Sequence, residues 1–133
     1  MALGAQAQEK VVDPFGFTSD AGLILWQIKP DAAADFEMVW RVIRQRVEAS
    51  ASPEIRAMVA GMKMYVPGVP PGEALTYVFH VDPAIRTASY SPTFLLYESK
   101  LFERAEADEL FKKMTATLVA EGSITMMPLN YAK

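Results

Sequence analysis

With 133 residues, 51% of them apolar and 22% charged, the chain has the makeup of one ordinary globular domain, which argues against both a disordered polymer and a membrane-spanning bundle. Its 13 basic residues are scattered among 16 acidic ones, so no stretch could neutralise a row of phosphates and no nucleic-acid partner is expected. Cysteine is absent, which removes disulfides, thiolate nucleophiles and cysteine metal sites together.

Residues 1–20 read as a flexible N-terminal arm and residues 21–133 as the single domain. In Ala2-Leu3-Gly4-Ala5-Gln6-Ala7-Gln8, Ala5 and Ala7 fall where small residues precede a signal-peptide cleavage point, although the basic and apolar regions that come before it are missing. Two readings follow, the trimmed end of an exported or periplasmic protein's signal and a plain tail. Asp13-Pro14, Gly16 and Ser19-Asp20 break any regular element here, leaving Phe15 and Phe17 as the apolar anchors of the arm.

The first predicted element is a strand over residues 22–29, an apolar run of Leu23, Ile24, Leu25, Trp26 and Ile28 stopped by Pro30. Asp31 is then placed to cap a helix reaching about Ala49, with Phe36, Val39, Trp40, Ile43 and Val47 on one stripe. Ser52-Pro53-Glu54 predicts the start of a short helix closed by Gly61. Residues 62–66 alternate as a second strand and residues 75–82 as a third, joined across a turn rich in proline and glycine into an antiparallel hairpin. Ser91-Pro92 opens a short helical piece through Phe94, Leu95, Leu96 and Tyr97, inside a long connection that either covers one end of the fold or packs against the sheet. From Glu103 the spacing of Ala107, Leu110, Phe111, Met114 and Leu118 predicts a helix ending before Gly122, and residues 123–129 predict a closing strand.

Strand, helix, hairpin, helix, strand is the ferredoxin-like order β-α-β-β-α-β, an α+β fold with a four-stranded antiparallel sheet and helices on one face. At least three strands are apolar on both parities, so the face without helices also needs cover. A second copy of the chain is the expected partner, giving a homodimer through the sheet faces.

This order, with strands apolar on both sides, resembles the dimeric α+β barrel superfamily, and the resemblance covers residues 22–130. The stretch Tyr77-Val78-Phe79-His80-Val81-Asp82-Pro83, with Tyr90-Ser91-Pro92 downstream, is also similar to an uncharacterised family of exported bacterial proteins. Membership of the superfamily implies a dimer and a pocket. It does not choose a reaction, because the superfamily includes cofactor-free monooxygenases, lactone isomerases, haem-using enzymes and stress proteins.

His80 is the sole histidine, and Asp82, two residues on, shares its face of the strand. A neutral imidazole there could act as a base, in a cofactor-independent monooxygenase or isomerase, or could ligate a haem iron. The plainer reading is a histidine satisfied at a buried or interfacial position. No cofactor is otherwise expected. A metal centre would need further ligands, of which Asp82, Glu98 and Glu103 are the nearest in sequence, and none is expected. Trp26, Tyr65, His80, Tyr90 and Tyr97 are the candidate ligand-binding residues, within a wider set of rings and thioethers (Trp40, Met62, Met64, Phe79, Met126, Met127) able to line a pocket for a flat apolar molecule. The leading expectation is a homodimer binding a small apolar ligand, with no membrane span.

Overall fold

The computed structural model describes residues 15–68, 72, 74–120 and 123–132. The signal-like stretch at residues 2–8 lies outside them. The elements are β1 (Ala21–Ile28), α1 (Ala33–Glu48), α2 (Pro53–Ala60), β2 (Met62–Tyr65), β3 (Leu75–Val81), α3 (Arg104–Thr117) and β4 (Ile124–Leu129). The strands form one antiparallel sheet in the order β2-β3-β1-β4, which is ferredoxin-like, with α2 as an addition before the hairpin. Among the described residues no helix is long and apolar enough to cross a membrane.

Register divides the side chains cleanly. Ile24 lies opposite Phe79 and Met126, and Trp26 opposite Tyr77 and Ile124, while Met62 and Met64 face Val81 and Phe79. These residues make the helix-side face and bury their bulk against Phe36, Val39, Trp40, Ile43 and Val47 of α1 and Ala107, Leu110 and Met114 of α3. The expected stripe of α1 is thus the buried one.

The start of α1 differs from expectation. Asp31 does not cap it: Pro30 bends residues 30–32 into a separate 3₁₀ turn, and the N-cap position falls on Ala32, which offers no side-chain acceptor. By contrast Ser52 caps α2 as its sequence requires, its hydroxyl accepting the Ile55 N–H at 3.3 Å. Helix α3 stops at Thr117, short of Gly122, because the chain there turns to extend the sheet. The Thr117 carbonyl accepts the Lys29 N–H at 2.8 Å, Leu118 bridges to Ile28, and the Val119 N–H donates to Gln27 at 3.1 Å.

Residues 15–20 belong to the packed domain. The Phe15 carbonyl accepts the Tyr90 N–H at 2.9 Å, and Phe17 is buried with its ring 5.8 Å from that of Tyr90. Phe17 occupies the space a side chain at position 22 would need, since a Cβ on Gly22 would fall 2.2 Å from the ring. The long connection also packs inward, with Leu95 and Leu96 in the core as part of a π-helical turn, Phe94–Glu98. Arg46 of α1 fastens the helix layer: it holds Glu106 of α3 in a fork at 3.0 and 2.8 Å, donates to the Leu101 carbonyl at 3.0 Å and lies 4.5 Å over the Phe102 ring.

Two outcomes follow. Gly22→Ala forces the Phe17 ring out of its seat and should cost about 1–3 kcal/mol in urea unfolding, most of it recovered in the double variant Gly22→Ala, Phe17→Leu. The Arg46 hydrogen bond holds the Glu106 carboxyl below its ordinary value of 4.5, so its contribution is complete above that value and fades as pH falls through the lower folded one. The pair is more than a third exposed, so Glu106→Gln should cost no more than about 1 kcal/mol at neutral pH, and variant and wild type should converge in acid.

Candidate functional site

Two regions present themselves, one on each face of the sheet. On the helix-free face Leu23 sits opposite both His80 and Met127, Leu25 opposite Val78, and Tyr65 opposite Val78 from the other side. Leu23, Leu25, Val78 and Leu129 are half-buried, while Tyr65 is 52% and Met127 42% exposed. Gln27, Lys63, Thr76 and Thr125 interrupt the apolar surface, mostly toward one end.

His80 lies half-buried in this face, between Leu23 and Lys63. Among the described residues no hydrogen bond or ion pair reaches its imidazole. Asp82 shares the face, but its carboxylate accepts the Tyr131 hydroxyl at 2.6 Å, and that bond raises the pKa of the Tyr131 phenol. Tyr131 is tied in turn through its N–H to Asp20 at 2.9 Å.

The second region is a cavity of about 280 Å³ on the helix side, lined by Glu37, Trp40, Arg41, Ile43 and Arg44 of α1, Val59 of α2, Met62 and Met64 of β2 and Phe79 of β3. Its origin is geometric. Helix α1 is fixed over the middle strands by its rings, α2 is one short helix, and β2 is an edge strand of four residues, so the corner between them is incompletely filled. Rings, thioethers and branched chains make the walls, and three charged residues of α1 line it as well. Glu37, Arg41 and Arg44 stand at i, i+4 and i+7, hence along one side of the helix.

Each of these charges has a distinct environment. The Tyr77 hydroxyl donates to Oε2 of Glu37 at 2.5 Å, and burial first, then this bond, pushes the Tyr77 phenol pKa up, so Tyr77 stays a donor at any ordinary pH. Arg44 donates from Nη2 to the Met62 carbonyl at 3.1 Å and pairs with Glu48 at 3.4 Å. The Asp82 N–H bonds to the Gly61 carbonyl at 2.8 Å, so by antiparallel alternation Met62 and Met64 turn their backbone groups to the open edge, where Arg44 covers one of them. Arg41 is exposed and, among the described residues, has no ion-pair partner.

The sequence candidates are distributed among several places. Tyr65 and His80 share the helix-free face. Trp26 is fully buried on the opposite, helix-side face, among Phe36, Trp40 and Phe79. Tyr90 is in the core against Phe17, its hydroxyl accepting the Ile85 N–H at 3.0 Å, and burial raises its pKa. Tyr97 packs on Phe111 and donates to Asp108 at 2.6 Å beside α3. Trp40, Met62, Met64 and Phe79 do converge, in the cavity. Glu37, Arg41, Arg44 and Val59 were not singled out as site residues by the sequence; the i, i+4, i+7 spacing of the three charges, which puts them on a shared side of the helix, is the signal that could have found them. Among the described residues no three His, Asp or Glu side chains gather where a metal ion could be held.

No protein-family model matches the chain, and no curated protein matches it. Among solved structures it is similar to a candidate antibiotic biosynthesis monooxygenase of Caulobacter crescentus, at 14% identity over 85% of this chain and 89% of that one, with a TM-score of 0.45. At that identity and TM-score the likeness says nothing of activity.

Proposed function

We propose that this chain is a small-molecule-binding domain that takes an apolar ligand into the cavity between α1, α2 and β2, and that it works as a homodimer. The observation that carries the first part is the cavity itself, about 280 Å³ walled by Trp40, Val59, Met62, Met64 and Phe79. Such walls suit a flat hydrocarbon body, since thioethers adapt their shape and rings stack, and the volume lies at the small end of ligand pockets. Calorimetric titration with naphthol should give saturable binding with a negative heat-capacity change. Val59→Phe and Met64→Phe each place a ring in the cavity and should weaken binding at least about tenfold while thermal melts remain cooperative. Absence of naphthol binding by the wild type counts against the reading.

The dimer reading rests on the helix-free face, where half-buried Leu23, Leu25, Val78 and Leu129 and exposed Tyr65 and Met127 stand together with no helix of the described residues over them. Covering a half-buried leucine or valine completely recovers about half of the roughly 1.5–3 kcal/mol of full burial, so covering several such residues favours association. A second copy presents the same apolar surface with the same flanking polar residues, so a two-fold arrangement is self-complementary. Light scattering should give twice the mass of one chain, and Leu25→Lys, at the centre of the face, should give a folded monomer. A wild-type monomer at micromolar concentration rules the dimer out.

A further inference from the structure

If the cavity is the ligand site proposed above, the charged residues along it narrow the class of ligand. A glutamate and an arginine one helical turn apart ordinarily pair with each other. Glu37 and Arg41 do not, because the Tyr77 hydroxyl draws the Glu37 carboxylate to itself at 2.5 Å. Arg44 is committed elsewhere, to the Met62 carbonyl and to Glu48. Among the described residues, two groups with unused capacity therefore line the cavity: the second carboxylate oxygen of Glu37, an acceptor, and the guanidinium of Arg41, a five-donor fork. They sit one turn apart along an apolar cavity, and they are of opposite charge.

We infer that the ligand is an amphipathic organic anion, a flat apolar body with a carboxylate held by Arg41 and a hydroxyl donated to Glu37. The same charges fix its direction, since Glu37 repels a carboxylate and Arg41 has no lone pair to accept a hydroxyl proton.

Titration calorimetry with three probes, naphthol, naphthoate and a hydroxynaphthoate carrying its two groups at opposite ends, separates the claims. The hydroxynaphthoate should bind about tenfold more tightly than naphthol at low salt, the advantage shrinking as salt rises. Arg41→Gln should abolish most of that advantage and Arg41→Lys only part of it, because the lysine keeps the charge and loses the fork. Glu37→Gln should narrow the gap between hydroxynaphthoate and naphthoate. Naphthol binding with no preference for the anion, or a preference that survives Arg41→Gln, overturns this assignment and leaves the apolar site standing. Failure of all three probes to bind removes the site and the assignment together.

Discussion

The structure turns on a cluster of rings between the middle of the sheet and α1. Trp26 of the central strand lies 5.5 Å from Phe36, 5.6 Å from Trp40 and 5.3 Å from Phe79 between centroids, Trp40 stands perpendicular to Phe79 at 4.8 Å, and Phe36 lies 4.7 Å from Tyr77. Ring pairs of this kind add about 0.5–1.5 kcal/mol each beyond the area they bury. The cluster also carries a penalty, since the indole N–H groups of Trp26 and Trp40 are buried without a hydrogen-bond acceptor among the described residues. An unsatisfied donor costs about 1–3 kcal/mol, and the surrounding aromatic faces are the partners within reach for a weaker N–H···π contact. Large rings at both ends of the contact set where α1 can lie. It is held over β1 and β3, and the edge of the sheet receives what cover remains.

That placement explains the unusual chemistry at the β2 edge. A short exposed edge strand invites pairing with another chain, and charged side chains are one way to blunt it. Arg44 does this by donating to the Met62 carbonyl while it pairs with Glu48 along α1, so it is committed on both sides. Tyr77 does something comparable from the sheet, reaching Glu37 from a fully buried position on β3. Both interactions fasten helix to sheet around the cavity, and they leave Arg41, of the three charges that line it, with no ion-pair partner among the described residues. The polar side of the site is in this sense produced by the way the edge is held.

Much of the fold was legible because its signals were periodic. The stripe Phe36, Val39, Trp40, Ile43 and Val47 could be read at helical spacing, and the alternation of Tyr77, Phe79 and Val81 assigned the core face of β3 before any partner was known. The failures came where local chemistry competes with tertiary structure. Asp31 is a good cap by type, yet Pro30 turned the chain before the helix began. Position 118 continues the helical pattern of α3, but the end of β1 offers backbone partners there and the sheet prevails. Aromatic candidates were poorly sorted because tyrosine and tryptophan have the same composition signal in a core and in a pocket. Trp26 and Tyr90 are core residues by burial, whereas the useful polar groups, Glu37 and Arg41, looked like an ordinary solvated helix side. A sequence shows that a charge is present; it does not show which charges are already taken.

The sheet itself separates the two functional ideas the residues allow. Side chains on a strand alternate between faces, so His80 and Phe79, though adjacent, point to opposite sides. Phe79 forms part of the cavity wall, while His80 looks toward the surface that a second copy would cover. Within one chain, a base at His80 therefore cannot reach a molecule bound beside Phe79, because the thickness of the sheet stands between them. Asp82, the carboxylate that would orient such a base, is engaged by Tyr131. Chemistry at His80 would need a substrate between two sheets, and binding in the cavity needs neither His80 nor a second sheet. The two faces are thus independent of one another, and the helix-side one is where shape, apolar walls and uncommitted charge coincide.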